Sequence, residues 1–251
     1  MRSRIAFAVA AIAAIAAVSA SSASANHSWN GYHWARTANP FTIKLGDNVG
    51  GLWDGMLVTA ASDWKTKNVL DTAIVAGGTR PKPCKATLGR VEVCSASYGN
   101  TGWLGVAMIW LQSGTKHIVQ GTVKNNDYYF GTSSYAYNNT AEMQHVICQE
   151  IGHTFGLDHQ DESGISLNTC MDYYHNTSAS DTKSTHPNQH DYDELSTIYA
   201  HLDASTTVGA APATRLVPIG AVGESRYVDQ LANGVTTITY VRWATPIHPN
   251  L

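Results

Sequence analysis

Glu150, His153 and His159 stand in the run Gln149-Glu150-Ile151-Gly152-His153-Thr154-Phe155-Gly156-Leu157-Asp158-His159. Positions 149 and 153 are one turn apart, so on a helix both side chains reach toward one point. Gly156 permits the left-handed turn that stops such a helix, and the chain then returns with His159. Two imidazoles and the amide oxygen of Gln149 surround a place suited to a divalent ion. Glu150 points to the neighbouring side, where it can reach a water. Zinc prefers imidazole or thiolate to an amide oxygen, so a Gln-His-His set binds it more weakly and leaves it more electrophilic. His145 cannot replace Gln149, because eight residues of helix separate it from His153 by about 12 Å; it is assigned to the surface or to a supporting role. His175, His186 and His190 belong to a long polar region and are read as exposed. Each residue alone has an ordinary structural explanation, and it is their register that argues for chemistry.

The elements that must position these groups follow from periodicity. Asn139-Thr140-Ala141-Glu142 has the form of a capping box, and Met143, Val146, Ile147 and Ile151 continue an apolar stripe, predicting a helix from about Thr140 to Thr154. Upstream, Phe41 to Leu45 alternates as a strand. Leu52, Met56, Leu57, Ala60 and Trp64 recur at helical spacing over Leu52 to Lys65. Strands are predicted at Asn68 to Val75, Val91 to Ser97, Leu104 to Gln112 and Lys116 to Lys124. Asn188 to Leu202 reads as an amphipathic helix with Tyr192, Leu195, Ile198, Tyr199 and Leu202 inward. The fold class is α+β, a twisted mixed sheet with helices packed on it.

The run at 149–159 resembles the H-E-x-x-H-x-x-G-x-x-H pattern of the metzincin metallopeptidases, with Gln149 in the place of the first histidine. Cys170-Met171-Asp172-Tyr173, with Met171 12 residues beyond His159, resembles the Met-turn of that clan, and its M-x-Y form is similar to the astacin-like and serralysin-like members. The helix from Asn188 resembles the C-terminal helix of matrixin-like members. The resemblance covers about Phe41 to Leu202. It implies a five-stranded mixed sheet, an active-site helix, the Met-turn and a C-terminal helix. It also implies Zn2+ as cofactor, held by Gln149, His153 and His159, with Glu150 as general base and Tyr173 beside the metal as an oxyanion donor. The implied activity is endopeptidase cleavage of an extended peptide or protein lying along an edge strand, for which Lys116 to Val123 is the candidate by β-augmentation. The alternative is a catalytically inactive scaffold that binds peptides or a partner, although a binding module has no need of Glu150.

Around this core, the sequence sets the compartment and limits. Arg2 and Arg4, the apolar run Ile5 to Val18 and Ala23-Ser24-Ala25 form a secretory signal over 1–25. The apolar run is too short to span a bilayer, which takes roughly 20 residues, so a secreted, extracellular protein without membrane attachment is expected. Removing the leader leaves 14 basic against 19 acidic residues, and no basic cluster suits nucleic acid. A monomer is expected. Little chain precedes the first strand, which leaves little room for an inhibitory propeptide. Four cysteines in an exported chain point to two disulfides. Three pairings are possible, and Cys84–Cys94 with Cys148–Cys170 is favoured. The domains are therefore a catalytic unit at 26–203, a linker rich in small residues at 204–214 and an extension at 215–251. In that extension, Arg226 to Leu231 and Val235 to Trp243 form a β-hairpin turned at Asn233-Gly234, too small to be stable alone.

Overall fold

The computed structural model describes residues 26–209, 226–230 and 235–244. The signal segment with its Ala23-Ser24-Ala25 site, residues 210–214 of the linker and the Asn233-Gly234 turn lie outside the described residues. Among the described residues no helix is long and apolar enough to cross a membrane.

The described residues form an α+β fold, with one mixed sheet and four helices among them. Strand β1 is His33–Trp34, β2 is Phe41–Asn48, β3 is Leu70–Ala76 and β4 is Val91–Ala96. Strand β5 is Trp103–Leu111, β6 is His117–Asn126, β7 is Arg226–Gln230 and β8 is Thr236–Trp243. The order across the sheet is β3-β2-β4-β6-β5-β8-β7, with β1 added beside β6. Strands β2, β3, β4 and β6 are mutually parallel, whereas β5, β8 and β7 follow as antiparallel neighbours. The parallel strands alternate or are continuously buried, as a sheet covered by helices requires.

Two expectations need correction. The sheet has eight strands rather than five, because β1 pairs with β6 and the C-terminal hairpin β7–β8 continues the sheet from β5. An open β5 edge would leave a row of unpaired N–H and C=O groups, and β8 pairs with them from Trp103 to Leu111. The segment Lys116 to Val123 is not an edge. From His117 on it lies within β6, with β5 on one side and β1 and then β4 on the other, so it is no open edge for a peptide.

Helix α1 (Leu52–Asp63) buries Trp53, Leu57, Ala60 and Ala61, whereas Leu52 is 66% exposed. Its inner face is thus centred one residue later than Leu52 and Met56 suggest. Helix α2 is the short turn Asp127–Phe130. Helix α3 (Thr140–His153) packs between α1 and the sheet, and nearly its whole circumference is buried. Gly152 is required there: a β-carbon would lie 2.6 Å from both Trp64 Cζ2 and Met171 Sδ. Trp64 Nε1 also donates to the Cys148 carbonyl at 3.0 Å. Helix α4 is Gln189–Ile198 and carries a true capping box, Asn188 with Asp191. It buries Leu195 and Ile198, with Tyr199 just beyond, while Leu202 is exposed. At α3 only half of the expected box forms. Asn139 accepts from the Glu142 backbone N–H at 3.0 Å, but the Glu142 side chain turns into the core.

Both favoured disulfides are present, Cys84–Cys94 and Cys148–Cys170. The second ties α3 to the residue before Met171. It closes a separation of 22 residues, which restricts the unfolded chain by about 3 kcal/mol.

Candidate functional site

Helix α3 ends at His153, and Thr154 to Gly156 turn the chain with Gly156 at φ 99°. Only glycine fits there, because a β-carbon would overlap the Tyr32 carbonyl oxygen. The N-terminal segment braces this turn. Trp29 N–H donates to the Gly156 carbonyl at 2.8 Å, and Trp34 Nε1 donates to the Thr154 carbonyl at 2.9 Å. The result brings His153 and His159 together, Nε2 to Nε2 at 3.2 Å.

The tautomers of this pair follow from their other nitrogens. His153 Nδ1 lies 2.9 Å from the Leu157 carbonyl oxygen, and His159 Nδ1 lies 2.7 Å from Glu162 Oε1. A carbonyl and a carboxylate only accept, so both Nδ1 atoms carry a hydrogen and the two Nε2 atoms are left facing each other. Burial, with His159 nearby, holds His153 well below the usual imidazole range, so its Nε2 offers a lone pair at pH 7. At this distance a shared proton or a cation must lie between the two nitrogens. Imidazoles oriented through Nδ1 by an oxygen acceptor are the usual donors to zinc.

Glu150 is fully buried beneath β5, against Gly105 and Ala107. Neither of its oxygens makes a hydrogen bond of normal geometry. Burial pushes its carboxyl up to about 8, although Arg242 pulls the other way. A β-carbon at Gly105 would come within 2.7 Å of Glu150 Oε1, so that glycine makes room for the acid. Met171 is fully buried beneath α3 at Gly152.

The remaining side chains expected at the site are engaged by β8. Gln149 donates from Nε2 to the Asp172 carbonyl at 2.7 Å, and its Oε1 accepts from Arg242 Nη1 at 2.8 Å. Tyr240 stacks face to face on His153, centroids 3.8 Å apart and planes 8° from parallel. The Tyr173 hydroxyl donates to the Val241 carbonyl at 3.2 Å and accepts from the Trp243 N–H at 2.8 Å, and its ring meets the edge of His159. Residues 240–243 therefore touch every side chain of the expected set except Glu150 and Met171.

Arg242 anchors this strand. It is fully buried and pairs with Glu142 at 3.1 Å, donates to the Tyr174 carbonyl and lies within 3.3 Å of both His145 ring nitrogens. Burial alone would raise the Glu142 carboxyl, but Arg242 and His175 outweigh it and hold the group at about 2. Burial, reinforced by Arg242, pushes His145 down to about 3. His145 is thus a buried supporting residue, bonded to Asn176 Oδ1 and facing the Asp172 carbonyl, not a surface group. His175 is also buried rather than exposed, because Glu142 pairs with it at 2.7 Å. His186 is exposed beside Asp63, and His190 stacks on His27.

Comparison with protein-family models, curated proteins and solved structures finds no match to this chain. Its chemistry therefore has to be argued from its own residues. Those the sequence did not single out are Arg242 and Tyr240, some 80 to 90 residues past the histidine pair. The one signal in the sequence was Arg242, the single charged residue in the strand Thr236–Trp243.

Proposed function

We propose that the chain is a secreted, zinc-dependent endopeptidase of the metzincin type whose cleft is covered by its own C-terminal strand. The facing Nε2 atoms of His153 and His159, each with Nδ1 committed to an oxygen acceptor, carry this reading. Those two nitrogens fit zinc, and Gln149 Oε1 becomes available as a third donor when Arg242 withdraws. Zinc held there supplies Lewis acidity to a peptide carbonyl and to a water.

The chain's own groups do the rest. Glu150, buried without a normal hydrogen bond, would be ionised by the charge of zinc held nearby, and as the carboxylate it accepts a proton from the attacking water and returns it to the leaving amine. Tyr173 donates to the oxygen that gains charge, as it now donates to the Val241 carbonyl. A substrate strand takes the place of β8, antiparallel to β5, where backbone pairing supplies affinity independent of sequence.

A second reading is an inactive scaffold, favoured by Arg242 on Gln149 Oε1 and Tyr240 over His153. The test is metal content by mass spectrometry together with cleavage of a denatured protein, before and after chelation and in Glu150→Gln. One zinc per His153–His159 pair with cleavage that vanishes on chelation and in Glu150→Gln supports the peptidase. Zinc without Glu150-dependent cleavage, even when β8 is loosened, supports the scaffold.

A further inference from the structure

A second group of imidazoles lies where β1, the start of β6 and the turn after α4 converge. We propose that His33, His117 and Asp203, with His201 beside them, form a separate binding site for a divalent cation of zinc-like preference, one that fastens the N-terminal strand to the body of the protein.

The geometry points to one ion shared by His33, His117 and Asp203, with His201 at the edge of the group. Asp203 Oδ1 lies 3.4 Å from His33 Nε2, 3.1 Å from His117 Nε2 and 3.6 Å from His201 Nε2. His201 Nε2 in turn lies 3.2 Å from His33 Nε2. Donors about 2.0–2.1 Å from a tetrahedral zinc are separated from each other by about 3.3 Å. The ligand atoms of His33, His117 and Asp203 all lie within 4.8 Å of one another. Two imidazoles and one carboxylate are a donor set suited to zinc and its transition-metal neighbours rather than to calcium or magnesium.

The groups behind these donors are arranged as a metal requires. His33 Nδ1 lies 2.7 Å from the Gly31 carbonyl oxygen, so it carries a hydrogen and Nε2 faces the cluster. Asp203 Oδ2 accepts from Arg36 Nη1 at 2.8 Å and from the Arg36 backbone N–H at 3.2 Å, which leaves Oδ1 for the cluster. His33 and His117 are opposite one another in the β1–β6 register, which fixes their rings on one side. The His201 side chain is 52% exposed, so an ion can enter from solvent.

This site is independent of the His153–His159 pair, but it holds the strand that braces their turn, through Trp34 and Tyr32. Cobalt(II) titration of the metal-free full chain tests it, in a His153→Gln/His159→Gln background that removes the first pair. One equivalent should bind with visible absorption of tetrahedral cobalt. Adding the part-exposed His117→Gln should weaken binding at least about tenfold while the far-ultraviolet circular dichroism is retained. Should the background variant fold poorly, the wild-type chain is the readout: two zinc ions per chain, falling to one in His117→Gln. Absence of cobalt binding in a folded background, or equal metal content and affinity with and without His117, overturns the proposal. Loss of peptidase activity with the second ion still bound would instead count only against the peptidase reading.

Discussion

Arg242 Nη1 donates to Gln149 Oε1 at 2.8 Å, so the amide that stands in the first ligand position is held by a cation from the C-terminal strand. The oxygen cannot serve a metal and this guanidinium at full strength together. Whether the site works thus turns on where β8 lies.

Proline at Thr239 tests this directly. Strand β8 is paired on both edges, with β5 and with β7, so a proline in its interior loses a ladder hydrogen bond whichever way its N–H points. Thr239→Pro is expected to raise cleavage of a denatured protein severalfold, with the Glu150 dependence intact. A rate no higher than wild type, in a variant that remains folded, would argue against β8 as the cover of the cleft.

Glu150→Gln should reverse the alkaline instability of the metal-free protein. A carboxyl raised from 4.5 to about 8 by burial keeps its proton in the folded state while the unfolded chain loses it. Stability from this group is whole below the unfolded value and falls as pH rises through 8. The glutamine variant should match wild type at pH 4 and exceed it at pH 9 by a few kcal/mol, since each tenfold change in proton affinity is worth about 1.4 kcal/mol. Chemical denaturation at the two pH values, with chelator present, measures the difference.

The acid side depends on the Arg242 network. Glu142 is held at about 2, so its contribution is complete above the unfolded value of 4.5 and lost as pH falls through 2. His145, pushed down to about 3, adds a loss from 6.5 downward, because only the unfolded chain takes up that proton. Arg242→Met leaves Glu142 buried without its guanidinium and is expected to cost about 3–5 kcal/mol at pH 7. Glu142→Gln/Arg242→Met should recover part of that loss and unfold less steeply in acid. A single variant as stable as wild type would remove Arg242 as the anchor of β8.

Gln149→His replaces the amide by a third imidazole. Zinc affinity, measured by competition with a chromogenic chelator, should rise at least about tenfold because imidazole is the better donor. Unchanged affinity would place residue 149 outside the ligand set.

Much of this was legible in the sequence, and the limits have physical causes. The run from Gln149 to His159 could be read because its geometry is local: one helical turn and one glycine stop. The same holds for β2 to β6, whose periodicity is their own, and for both disulfides. Leu52 misled because an apolar residue at a helix start need not face inward. Glu142 fits a capping box by spacing, yet a buried arginine across the fold outcompetes the cap. The identity of the edge strand could not be read at all, since β6 differs from an edge only through its partners. Arg242, Tyr240 and the His33–His117–His201–Asp203 cluster are assembled by long-range packing, and no spacing announces them.

The pairing of β8 with β5 also governs how the cleft responds to concentration. A strand on the same chain competes with substrate at an effective concentration on the order of millimolar, whatever the amount of protein present. Dilution would therefore not uncover the proposed site, and a weak peptide at micromolar levels would rarely displace the strand. What uncovers it must act on the chain itself, by cutting the connection to the hairpin or by pulling the β7–β8 ribbon away.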